Sequence, residues 1–269
     1  MLILFIFLFV LILLNPSIAK ESFTFSSTLW FNSLVPVLFP SLLFIDLLMN
    51  DRSLTLLSNY LYKPFKYIFN INYPKSVILI ILSVICGVPS NVKAVTTAIK
   101  NNEISNTEGN NIILAYSNMS LAYLIYVFNL FNISFFLYLI ISFLLSSLIF
   151  YMINSKENNL YYDNEFEHTT IINTIFNSIT KNIQILLTIL GIITIFNILI
   201  NLFFYNGFIL YPYFEILGGI NYIKEKSLSF IFVIFAAGFL GLSVHMQILY
   251  IKSDLPYIKF LIIRFIYSI

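Results

Sequence analysis

Residues 77–99 read VILIILSVICGVPSNVKAVTTAI, an apolar run of membrane-crossing length interrupted in its middle by Gly87, Pro89, Ser90, Asn91 and Lys93. A crossing takes about 20 apolar residues, and backbone groups freed at that depth find no water to bond. Pro89 removes one donor and disfavours helix at Val88, while Gly87 loosens the turn before it. The released carbonyls and amides must meet protein, trapped water or a solute. One reading is a plain proline kink with Lys93 snorkelling to the interface. The clustering of Ser90, Asn91 and Lys93 at the break favours the other, a binding site in a broken or re-entrant helix.

The rest of the chain fits the same solvent. Hydrophobic residues make up 59% and charged residues 10%, with a mean hydropathy of +0.92. A soluble domain carries roughly a quarter of its residues as charge, so this chain lacks the shell that water requires. The sequence predicts an all-α polytopic membrane protein. Apolar runs occupy 2–14, 34–49, 77–99, 112–131, 133–153, 183–204, 205–223, 228–251 and a shorter stretch at 255–269. They predict about six to nine membrane segments. Residues 1–20 read as an uncleaved first helix ended by Asn15-Pro16. A signal peptide competes, because Ser17 and Ala19 precede Lys20 in a small-x-small pattern. Against it, no Lys or Arg precedes the apolar run.

A net charge of +2 without a basic stripe gives no sign of nucleic acid. The single cysteine, Cys86, excludes an internal disulfide and a cysteine-based metal cluster. No phosphate-binding glycine loop, metal-ligand cluster or nucleophile motif is present, so no cofactor is expected and a membrane enzyme is the weakest class. Arg52, Lys63, Lys66 and Lys75 between 50 and 76 predict a cytoplasmic segment. The acidic linker 154–170 then falls outside and divides the chain into 21–153 and 171–269.

Shifted by 151 residues, the chain matches itself without gaps over roughly 75 positions. Asp46 falls on Asn197, Asn50 on Asn201, Tyr60 on Tyr211, Tyr62 on Tyr213, Lys75-Ser76 on Lys226-Ser227, and Gly87 on Gly238. Internal repeats with breaks at matching positions point to a transporter site. The second break carries Gly238 and Gly241, then Ser243, His245 and Gln247. A small-residue packing face with His245 bonded to a neighbouring helix competes there with a pathway role, which the cost of ionisable groups at depth favours. Asp46, flanked by apolar residues, is a coupling candidate that must pair, hold a proton or face water. Ser117, Asn118 and Ser120 interrupt 112–131 and serve equally as interhelical glue or as solute contacts.

The elements Gly87-x-Pro89-Ser90-x-x-Lys93, Ser117-Asn118-x-Ser120 and Gly238-Phe239-x-Gly241-Leu242-Ser243-Val244-His245-x-Gln247 resemble the sporulation integral membrane proteins of spore-forming Firmicutes. Those carry two nucleoside-recognition, or Gate, domains, related to domains of concentrative nucleoside transporters and ferrous-iron transporters. The resemblance implies two Gate-like repeats and a transporter-like role in spore formation. Its solute would be dipicolinate, moved across the outer forespore membrane, and Lys93 would suit such an anion. Nucleoside or ion transport and a non-transporting sporulation scaffold are the alternatives. The expected partners are lipid, a small solute, and further copies or other membrane proteins. On this reading Lys93→Ala and His245→Ala both abolish uptake.

Overall fold

The computed structural model describes residues 2–49, 51–128, 133–156, 171–204, 210–225 and 230–268. Fifteen helices and no strand occur among them. Asn50, Lys226, Ser227 and most of the 154–170 linker lie outside the described residues.

Helix α1 (Leu2–Leu14) stops at Asn15, and Pro16 opens α2 (Pro16–Leu29), where its missing N–H costs nothing. A π turn at Trp30–Leu34 joins α2 to α3 (Val35–Met49), giving one 34-residue helix from Pro16 to Met49. The crossing thus begins well before residue 34, within a stretch rich in Ser and Thr. Four of its hydroxyls find partners, while that of Ser27 is buried without one among the described residues. Thr24 and Thr28 bond carbonyls one turn back, while Ser22 and Ser26 accept from Asn201 and Asn197 of α10 (Ile171–Phe203). With Asn182 of α10 opposite Asp46 and Asn201 opposite Ser22, the two long helices run antiparallel.

The basic stretch after residue 50 is α4 (Arg52–Phe69), an amphipathic helix bent by 79° from α5 (Pro74–Cys86). Lys63 and Lys66 are exposed on it, while Leu54 and Phe69 are buried. The turn between α4 and α5 is held by a buried carboxylate. Glu108 of α7 (Asn106–Tyr116) accepts from Asn72 N, Ser76 Oγ and Asn154 Nδ2. Asn70 and Asn154 exchange side-chain-to-carbonyl bonds, and Asn72 Nδ2 donates to Ser155 O. The start of the 154–170 linker therefore lies on the same side as the basic segment, not opposite it. Its polar groups are recruited to the only buried carboxylate that this turn contacts.

Among the described residues, three helical stretches are long and apolar enough to cross a membrane: Pro16–Met49, Ile172–Phe203 and Phe232–Ile251. A fourth is added when the bent pair Leu54–Phe69 and Pro74–Cys86 counts as one span. This is fewer than six to nine, because several apolar runs are split. The 112–131 run becomes the end of α7, an irregular stretch at 117–120, and α8 (Leu121–Phe128). The described part of 205–223 forms only α11 (Tyr211–Phe214) and the greater part of α12 (Ile216–Glu225). Helix α9 (Ile133–Ile153) packs against α7.

Helix α6 (Ser90–Lys100) and helix α14 (Gly241–Ile251) have 11 residues each and stand 151 apart. Helix α7 and helix α15 (Tyr257–Tyr267) also have 11 each and stand 151 apart. Each α6-like helix follows a break, the second one at Leu240 between α13 (Phe230–Phe239) and α14.

Candidate functional site

The first break is built by contact between two interrupted helices. Gly87 ends α5 at φ 60°, a backbone that side chains rarely tolerate, and a Cβ there would lie 2.2 Å from the Ser120 backbone nitrogen. Val88 N donates to Asn118 O at 2.9 Å, lacing residues 87–89 to 117–120. Asn91 turns its amide to Tyr116 O and accepts from Val92 N, so it caps the carbonyl end of α7. Asn118 Nδ2 donates to Ser146 Oγ, and Ser120 Oγ accepts from Tyr123 N at the start of α8.

The second break has a different interior. Leu240 and Gly241 both take positive φ, 77° and 72°. A Cβ on Gly241 would press on Pro212 O and Ile216 N, and one on Gly238 would overlap Tyr267 O at 2.1 Å. His245 is fully buried, with Nε2 against Phe239 O at 2.8 Å and Nδ1 near Tyr257 Oη at 3.3 Å. Phe239, Tyr257 and Phe260 surround its ring. Ser243 Oγ is buried and has no hydrogen-bond partner among the described residues.

Both breaks border one small inner cavity of about 50 Å³. Pro89 and Ser120 come from the first break and Leu240, Val244 and Gln247 from the second, with Ser33, Leu34 and Leu38 closing one side. Such a volume holds one or two waters and no organic solute, so this conformation is closed at that point. A second, larger cavity of about 600 Å³ lies further along the same helices. Asp46 of α3, Lys93 to Asn101 of α6, Thr174 to Ile185 of α10 and Tyr250 of α14 line it. Leu38 and Asp46 stand eight residues apart on α3, about 12 Å of helix. Between the two cavities these helices carry Ser41, whose hydroxyl meets Ser90 Oγ at 3.0 Å, and the buried Leu42, Ile45, Val92 and Ile248.

Lys93 Nζ is bound to Asp46 and, at 2.6 Å, to Asn182 Oδ1; Asn182 Nδ2 returns to Asp46 Oδ2 at 3.1 Å. This bonded triangle draws α3, α6 and α10 together at the floor of the outer cavity. Lys100 and Lys181 also line it, so three lysines face one carboxylate that is already paired. At the loop before α15, Lys252 bonds Asp254 and Asn106, and its ammonium holds the Asp254 carboxyl below the usual carboxylate range.

The residues singled out in the sequence therefore divide. Pro89, Ser120 and Gln247 line the inner cavity, and Asp46 and Lys93 the outer one. Gly87, Ser90, Asn91, Ser117, Asn118, Gly238 and Gly241 shape the breaks without lining either cavity. His245 and Ser243 also line neither, His245 being sealed by aromatic rings.

Three buried polar residues at or beside the cavities and breaks are not singled out by the sequence: Asn182, Glu215 and Arg264. Glu215 is fully buried in the inner-cavity wall and accepts from Leu217 N and Gly218 N at the start of α12. Arg264 is fully buried in α15 and donates to Ser117 O, Asn118 Oδ1 and Leu114 O, while stacking on Tyr267. It thereby satisfies carbonyls that the end of α7 leaves open and meets the negative end of that helix. Glu215 is the lone ionisable carboxylate of its apolar run and Arg264 stands with Lys259 in the last one, the kind of signal that marked Asp46. No family model, curated protein or solved structure matches the chain.

Proposed function

We propose that the chain is a multi-pass membrane transporter with two Gate-like repeats that moves a small organic anion, dipicolinate during spore formation. The observation that carries this reading is the alignment of two cavities along α3, α6 and α14. The outer one has the size of a small-molecule site and an excess of lysine, and the inner one sits where both helix breaks meet. Solute enters the lysine-lined cavity, and parting of the Ser41–Ser90 wall admits it to the inner cavity as the two units move against each other.

The matched boundaries of α6 with α14 and of α7 with α15 support a repeat. In each unit a glycine before the break abuts backbone at the end of the third helix: Gly87 at Met119–Ser120 and Gly238 at Tyr267–Ser268. Lys63, Lys66, Lys75, Lys100, Lys181 and Lys252 gather toward the side where the outer cavity opens, which the positive-inside rule assigns to the cytoplasm. In a sporulating cell that side is the mother cell, and the membrane is the outer forespore membrane.

The test is uptake of radiolabelled dipicolinate by proteoliposomes holding the full chain. The wild type accumulates it, and Lys93→Ala reduces the rate at least tenfold. His245→Ala, despite its place in the second break, retains uptake in protein that inserts normally. A wild type that moves neither dipicolinate nor nucleosides defeats the transporter reading in favour of a scaffold.

A further inference from the structure

We infer that Glu215 is a proton-binding site coupled to the solute, so that an anion entering the inner cavity is accompanied by a proton taken up on this carboxylate. The inference rests on the anion-transport reading above. Glu215 has no exposed surface, lines the inner cavity, and bonds two backbone N–H groups with no lysine, arginine or histidine beside it among the described residues. The two N–H groups at the start of α12 favour the carboxylate while its burial favours the neutral acid, so the empty site holds the charged form on the alkaline side of neutrality. They also discourage a metal cation, which needs oxygen donors in their place.

A second anion changes the balance. Two like charges a few ångströms apart in a water-poor wall repel strongly, and the group with access to protons takes one up. Asp46 cannot play this part as it stands, because Lys93 and Asn182 already bind it. The other titratable groups around Glu215 leave it as the acceptor. Tyr211 and Tyr213 lie on α11, Tyr222 on α12 and Tyr123 on α8, and these are phenols rather than carboxylates or bases. Tyr211 donates its hydroxyl to Asn197. His245 of α14 has its ring turned to Phe239, Tyr257 and Phe260. The step is Glu215 carboxylate plus a solvent proton giving the neutral acid, reversed when the anion leaves. By linkage the proton and the anion each tighten the binding of the other.

The experiment is equilibrium binding of radiolabelled dipicolinate to the full chain in nanodiscs, above about pH 6, where both carboxylates of the probe are ionised. Proton uptake is followed in parallel with an indicator dye in weak buffer. At alkaline pH, where Glu215 is ionised in the empty protein, the wild type takes up close to one proton per anion bound and its affinity weakens by about tenfold per pH unit; the absence of uptake is judged there. Glu215→Gln abolishes the proton uptake, flattens the pH profile and binds more tightly than wild type at alkaline pH, a gain that misfolding cannot produce. Glu215→Asp keeps the uptake with a displaced midpoint. Anion binding by the wild type without proton uptake overturns the inference and leaves transport standing, as does uptake that survives in Glu215→Gln. Absence of dipicolinate binding at every pH overturns the anion reading, and this inference with it.

Discussion

The units α5–α6–α7 and α13–α14–α15 share the boundaries of their second and third helices and differ in what fills them. In the first, the break is laced to a second irregular stretch by Val88 N and Asn118 O, and the lysine four residues into α6 lines the outer cavity. In the second, the break is packed in rings, and the histidine five residues into α14 is shut in by Phe239 and Phe260. The spacing of breaks is a backbone property, which the same helix lengths reproduce. The chemistry depends on which side chains stand behind each break, and there the units diverge. The first unit presents charge to the outer cavity. The second presents a wall, with Gln247 and its neighbour Glu215 as the polar groups of that wall.

The contrast is most exposed at the two glycines. Gly87→Ala meets both a positive φ and the Ser120 backbone, and is expected to cost about 3–5 kcal/mol, read as the midpoint of denaturant unfolding in detergent. Arg264→Met tests whether the second unit holds the first. It strips donors from Leu114 O and Ser117 O, and should cost about 2–3 kcal/mol in the same assay, with Arg264→Lys restoring part. Gly238→Ala carries the clash with Tyr267 but a helical backbone, so a loss of about 1–2 kcal/mol is expected. A loss equal to that of Gly87→Ala would make the two breaks equivalent and erase the distinction. At the small end, Ser243→Ala removes a buried hydroxyl without a partner and should lie within about 0.5 kcal/mol of wild type, on the stabilising side. Gly191→Ala on α10, where a Cβ meets nothing within 4 Å, should stabilise by up to about 1 kcal/mol.

Much of this arrangement was legible before the structure. Composition dictates helices in lipid, and Gly87-x-Pro89 dictates a break, because neither follows from long-range contacts. The pairing of Asp46 with Lys93 was readable as an option, since an unpaired charge at that depth is costly. What escaped was anything decided between distant segments. Residues 17–33 fall between the apolar runs, and Asn197 and Asn201, far along the chain, help make them the first half of a long helix. The charge of 50–76 marks a side of the membrane, while its apolar period makes most of it the helix α4. Glu215 and Arg264 stand in apolar sequence, and their surroundings are the carbonyls, amides and cavity that the fold brings to them. His245 drew attention as a titratable group, yet its aromatic neighbours Tyr257 and Phe260 come from α15.

The partition between the cavities is thin: one hydroxyl pair, worth about 1 kcal/mol, and the aliphatic side chains Leu42, Ile45, Val92 and Ile248. Electrically, those few side chains are the insulation of the molecule. If this partition and the far side opened together, the protein would conduct ions. Paring the partition, as in Leu42→Gly, should therefore turn a silent protein into one that passes current in a planar bilayer.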